Sequence, residues 1–287
     1  MKWEDVNLFD FKSVNTCEPF AMLCVGQKII ELRKKHADAE CKGQNVDNNY
    51  AENMRFYRYV GMKKGRPLDL DCGNGNFQPI SDLNLLKILQ ESRQTNRPFG
   101  ELVTDTSKTL AMVLARNNKN VMSTMTFCLR EIIRNIKEHS NSLNGWYCAQ
   151  YWPTKDLVEQ AIIKAMQSGI SRTFDDNYSE EIFAGTGTEW KNSGYGLYIV
   201  SRICAKTGGN FTLASGDTSV KVENDSVGNV KYTSYPTSIN GTAIRIRLKV
   251  SGLAGIDDII KVIHEEGKNN GDEGFSTPSK ASSFYFI

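Results

Sequence analysis

Leu129-Arg-Glu-Ile-Ile-Arg-Asn-Ile-Lys-Glu-His-Ser140 and, further along, Asn192-Ser-Gly-Tyr-Gly-Leu-Tyr198 decide the reading of this chain. The first stretch predicts a helix. Glu131 and Asn135 are four residues apart, so their side chains project from one face. A carboxylate that can orient water, beside an amide oxygen that can ligate a hard cation, suits a site for a magnesium-bound nucleotide. In the second stretch Gly194 and Gly196 run straight into an apolar helical pattern. Backbone amides at such a helix start can meet phosphate.

The bulk numbers set the frame. The 287 residues suffice for two modest domains, and 40% hydrophobic with 24% charged residues is an ordinary globular composition. A net charge of +2 gives no global electrostatic argument for nucleic acid or membrane binding. No apolar run approaches the roughly 20 residues of a membrane span, and Met1-Lys-Trp-Glu-Asp-Val6 has no secretory core. The 7 cysteines form no C-x-x-C pair, which fits reduced thiols and a cytoplasmic setting. Neither cysteines nor the 3 histidines have zinc-ligand spacing. His139 reads as a helix-packing side chain rather than a ligand.

Outward from the two stretches, helices are expected over Pro19–Lys35, Asn49–Val60 with Gly61 as C-cap, Asp82–Gln90, Phe99–Asn117, Val121–Ser140, Gly196–Lys206 and Ile256–Glu266. Strands are expected over Gly145–Tyr151, Leu157–Ile163, Asn210–Ala214, Ser219–Val222, Val230–Thr233 and Thr242–Val250. The last alternates apolar and basic residues, which predicts one buried and one wet face. Residues 171 to 193 are polar and weakly periodic, as a lid would be. These elements divide the chain into a smaller N-terminal α/β domain (1–95) with its own core, a larger α/β domain (96–266), and a polar tail (267–287).

Helix, hairpin, lid, glycine-led helix and antiparallel strands, carrying these two motifs in this order, resemble the GHKL ATPases. The likeness covers roughly residues 97 to 252, with the N-box on Glu131 and Asn135 and the G2 box on Gly194-Tyr195-Gly196-Leu197. The ending Asn135-Ile-Lys-Glu-His-Ser140 is similar to that of standalone and anti-sigma-type bacterial members. The resemblance implies a two-layer α/β sandwich of the GHKL (Bergerat) type. ATP and Mg2+ would sit between helices and lid, Asn135 would ligate the cation, and Glu131 would position or deprotonate the attacking group. Lys191 would either meet the β- and γ-phosphates or stand exposed. Thr242, after Gly241, matches the G3 position, where a hydroxyl supports the adenine-binding carboxylate. The regions Asn49–Tyr57 and Asn76–Ile80 resemble, more loosely, the N-termini of standalone members, some of which accompany a small STAS-like protein partner.

The chain departs from the family at the G1 box. Aligned on Gly169-Ile170, the adenine-binding acid is replaced by Ala165 and the first glycine by Gln167; a one-residue gap offers Lys164 instead. Losing one charge-assisted hydrogen bond costs about 1.5–3 kcal/mol, roughly ten- to a hundredfold in affinity. Leu68-Asp-Leu-Asp-Cys-Gly-Asn-Gly75 does contain Asp-x-Gly-x-Gly, but it precedes the N-box. It also resembles a methyltransferase motif, although the polar turn Met62–Pro67 stands where that motif needs a buried strand. The leading expectation is a nucleotide-dependent switch, with ATP hydrolysis or phosphorylation of a partner as possible outputs. The alternative is a degenerate scaffold serving as a protein-interaction module.

Overall fold

The structure, a computed structural model, describes residues 6–14, 17–37, 40–65, 76–139, 144–165 and 195–269. The helices are α1 (Pro19–Lys35), α2 (Asn49–Asn53), α3 (Phe56–Tyr59), α4 (Leu85–Thr95), α5 (Phe99–Ala115), α6 (Lys119–His139), α7 (Tyr195–Lys206) and α8 (Ile256–Asn269). The strands are β1 (Val6–Asp10), β2 (Glu40–Gln44), β3 (Phe77–Asn84), β4 (Asn144–Trp152), β5 (Leu157–Ala165), β6 (Asn210–Asn224) and β7 (Val230–Lys249). Strands β1 and β2 form a parallel pair joined through α1, while the other five form an antiparallel sheet in the order β3-β4-β5-β7-β6. The α/β class is as expected.

Side-chain alternation along each strand puts a core on both faces of this sheet. Tyr147, Ala149, Val158, Ile244, Ile246 and Leu248 pack with α4 to α8. Cys148, Ala214 and Ala243 instead pack with Met22, Leu23, Phe56, Tyr57 and Tyr59 from α1 and α3. The sheet therefore has helices on both sides, and the arrangement is three layers deep rather than two. The N-terminal segment is tied to the sheet by strand pairing and by its core. Strand β3 pairs with β4 from Phe77↔Gln150 to Asn84↔Asn144, and the N-terminal core is shared with the sheet. Gly26 lets α1 approach closely, since a Cβ there would lie 2.4 Å from the Tyr59 ring.

Four local expectations change. Asn49–Val60 is two short helices, because Arg55 adopts a left-handed conformation (φ 62°) between them. Gly61 follows with φ +83°, the terminating role read from sequence. Asp82 belongs to β3, and the helix begins only after Asn84, whose side chain accepts from Lys87 N at 3.1 Å. The four strands expected between residues 210 and 250 are two long ones, paired from Asn210↔Arg247 to Asn224↔Val230. Finally, the basic face of β7 is only partly wet: Arg245 and Arg247 are half-buried, while Lys249 is exposed.

That last correction explains how the N-terminal segment is held. Arg245 and Arg247 of β7 lie against the start of α1, where Glu18 supplies an acid. Arg247 donates to both Glu159 and Glu18, while Glu159 also accepts from Phe20 N at 3.2 Å. The Arg245 guanidinium lies over the Phe20 ring at 5.2 Å and donates to Thr212 Oγ1 at 3.1 Å. Glu159 is 0% exposed, and it presents a carboxylate to the first turn of α1, where backbone amides are unpaired. Burial pushes the Glu159 carboxyl up, and Arg247 opposes that push.

Arg247→Met should therefore strand a buried carboxylate and cost about 3–5 kcal/mol in urea denaturation. With Arg247 gone, the folded-state carboxyl rises further above its unfolded value. Stability tied to a raised acid is complete below the unfolded pKa and lost as pH climbs through the folded one. The variant's deficit should thus widen from acidic toward neutral pH, and adding Glu159→Gln should recover part of it. A deficit that does not change with pH would contradict this arrangement.

Candidate functional site

Helix α6 forms where the apolar positions Val121, Met125, Leu129, Ile132 and Ile136 face the sheet core. Its start is fixed by Asn118, whose side-chain oxygen accepts from Asn120 N at 3.0 Å and Val121 N at 3.2 Å. Helix α7 packs beside it through Ile199, Val200 and Ile203, with Leu197 partly buried against the same core. The two sequence motifs therefore come from neighbouring helices.

They meet at one point. A Cβ built on Gly196 would stand 2.2 Å from Glu131 Oε2, 3.1 Å from its Cδ and 3.4 Å from its Cβ. Only glycine lets the first turn of α7 rest on this carboxylate. Glu131 is 1% exposed and sits between two arginines. Arg130 Nη2 donates to Oε1 at 3.2 Å, and Arg134 Nη1 lies 3.6 Å from Oε2. Arg130 in turn lies over the Phe127 ring at 5.7 Å. Both arginines are buried, at 5% and 2% exposure. Oε2 makes no hydrogen bond among the described residues, and the two arginines together face the carboxylate.

Asn135 stands one turn further along α6, half-buried, with its Nδ2 donating to Glu131 O at 2.8 Å. That bond fixes the amide so that its oxygen is the atom that would ligate a cation. Among the described residues no group of three His, Cys, Asp or Glu side chains could hold a metal. A magnesium ion here would draw its other ligands from phosphate and water, as it commonly does.

Thr242 lies in β7. Its Oγ1 is 3.4 Å from Ser215 Oγ, which donates to Gly241 O at 3.1 Å. Backbone register sets Lys164 opposite Thr242 and Ala165 opposite Gly241. The end of β5, where the resemblance expects an acid, pairs with Gly241-Thr242 and reads Lys164-Ala165. Gly169, Ile170, Lys191 and Gly194 lie outside the described residues, as do residues 171 to 193 and 68 to 75. Tyr195 opens α7, although its side chain is not among those described.

Three participants escaped the sequence reading: Arg130, Arg134 and Ser215. Arginines one residue before and three after Glu131 are a legible signal, since i,i+3 neighbours share a helix face. Ser215 has no such signal, because strand pairing brings it to Thr242. Comparisons with protein-family models, with curated proteins and with solved structures find no match for this chain.

Gly196→Ala should force Glu131 away from its arginines or push α7 off α6, costing about 1–3 kcal/mol. Glu131→Asp, which pulls the carboxylate back, should restore part of that loss in the double variant. Full additivity in thermal denaturation would mean that the two residues do not press on one another.

Proposed function

We propose that this protein binds ATP with Mg2+ in the manner of the GHKL ATPases and uses the bound nucleotide as a conformational switch. The observation that carries the reading is the contact of Glu131 with Gly196. It unites the two motifs that would grip the cation and the phosphates. Asn135 would ligate magnesium, and the backbone at Gly194-Tyr195-Gly196 would meet the triphosphate at the positive end of α7. Leu197 anchors that turn in the core, and Lys191 is the candidate partner for the outer phosphates. Thr242 and Ser215 would offer hydroxyls to the purine side, and Gly169-Ile170 would line it.

The surroundings of Glu131 favour binding over fast turnover. A carboxylate sealed under α7 and flanked by two arginines has little access to an attacking water. Its work is to seat Gly196, which makes it a positioning residue. Any hydrolysis or transfer to a partner protein would then be slow without rearrangement of that cluster. A second reading, a nucleotide-free interaction scaffold, is favoured by Lys164 and Ala165 standing where the purine-binding acid belongs.

Calorimetric titration separates these readings. Mg-ATP should bind the full chain saturably, and Asn135→Ala should weaken it by about tenfold or more. The same titration without Mg2+ should lose a comparable amount. Equal heats for both proteins, or none at millimolar nucleotide, would remove the ATP reading in favour of the scaffold.

A further inference from the structure

A groove away from Glu131 runs between α5 and the first half of α6. Its volume is about 720 Å³, within the roughly 300–1,000 Å³ of binding sites. The two helices join through a turn at residues 116–118 and run antiparallel. Met112 from α5 and Met122 from α6 line the groove together with Phe127. Met112 is 64% exposed, so this lining is open apolar surface rather than core. Lys108, Arg116 and Lys119 are exposed at its margins, and no acidic side chain lines it among the described residues.

The chain carries a segment that fits this lining. Phe284-Tyr-Phe-Ile287, beyond the described residues, is a run of large apolar side chains after a largely polar stretch. Extended, it would cover about 13 Å, and the α6 lining from Lys119 to Thr126 covers about 10 Å. Alternate side chains of an extended segment share one side, so Phe284 and Phe286 would act as a pair. Methionine sulfur makes favourable contacts with aromatic rings, and basic groups are attracted to ring faces. Arg116 already stands over one aromatic ring, that of Tyr151, at 5.7 Å. Residues 281–287 hold no charged side chain, so they bring no cation against the basic margin.

Chain length allows the contact. Asn120 Nδ2 donates to Leu253 O at 3.1 Å, which places the residues before α8 at the turn end of the groove. Helix α8 has 14 residues and is about 21 Å long, so Asn269 lies within roughly 30 Å of that end. The roughly 14 residues from 270 to 283 span up to about 48 Å when extended, and a chain of that length has an r.m.s. reach of roughly 20 Å. A span comparable with that reach gives an effective concentration in the millimolar range, at which a contact of modest affinity is filled within one molecule.

We propose that this groove is the docking site of the chain's own segment Phe284-Tyr-Phe-Ile287. The Phe284 and Phe286 rings lie against Met112 and Met122, the basic side chains border the ring faces, and Tyr285 faces water. The α5–α6 hairpin is thereby covered by a strap that starts from the end of α8.

NMR of the full chain with carbon-13 methionine methyls tests this, the Met112 and Met122 signals being assigned by replacement with leucine. Phe284→Ser with Phe286→Ser should remove the ring currents and move both signals, leaving those of the buried Met22 and Met54 in place. A Ser-Ser-Phe-Tyr-Phe-Ile peptide, added at millimolar concentration to this double variant, should return them toward their native positions. Met112→Glu, at an exposed position, should keep the fold and speed chymotryptic cleavage at residues 284–286 by about tenfold. Identical Met112 and Met122 signals in the native chain and the double variant would overturn the assignment, as would cleavage unchanged by Met112→Glu. So would native signals that drift on about tenfold dilution, since the docked segment would then belong to a second copy.

Discussion

A buried carboxylate pressed against a glycine organises the centre of this molecule. Arg130 and Arg134 pair with the buried Glu131 side chain, and α7 could not approach α6 this closely with any side chain at residue 196. Both requirements are met in one place, which fixes the register between the two helices. That register in turn sets Asn135 and the start of α7 on adjoining helices.

The same principle, charge buried against charge, works on the other face of the sheet. There Glu159, Arg247 and Glu18 join β5 and β7 to the start of α1. The N-terminal segment is thus an outer layer of the same sheet that supports α6 and α7. Tyr50 Oη donates to Gln150 Oε1 at 3.2 Å, and Cys148 Sγ lies 3.5 Å from Pro19 O, further ties across that face. Cys128, Cys148 and Cys204 are fully buried, and burial pushes all three thiols up, so they pack as small apolar groups. Among the described residues no helix is long and apolar enough to cross a membrane.

How much could be read in the residues depended on whether the cause was local. Helix α1 begins at Pro19 and ends after Arg33, Lys34 and Lys35, and all of those signals lie within the helix itself. The spacing of Glu131 and Asn135 likewise placed both on one helix. Strand β3 was missed because its partner, β4, lies some seventy residues away, and the apolar run Leu83-Leu85-Leu86 has a helical look from Asp82 onward. The polar alternation of β7 suggested water on one side, but the acids that bury Arg247 come from β5 and from the residue before α1. The charge cluster around Glu131 was partly legible; its contact with Gly196 required the packing of α7.

On the proposed binding mode, one ligand touches both α6 and the start of α7. Nitrogen-15 NMR of the labelled chain reads both contacts at once. On titration with Mg-ATP the Gly196 backbone amide and the Asn135 side-chain amide should shift along a single saturation curve. If both resonances stay in place at millimolar Mg-ATP, or only one moves, the two helices do not share a ligand and the account fails.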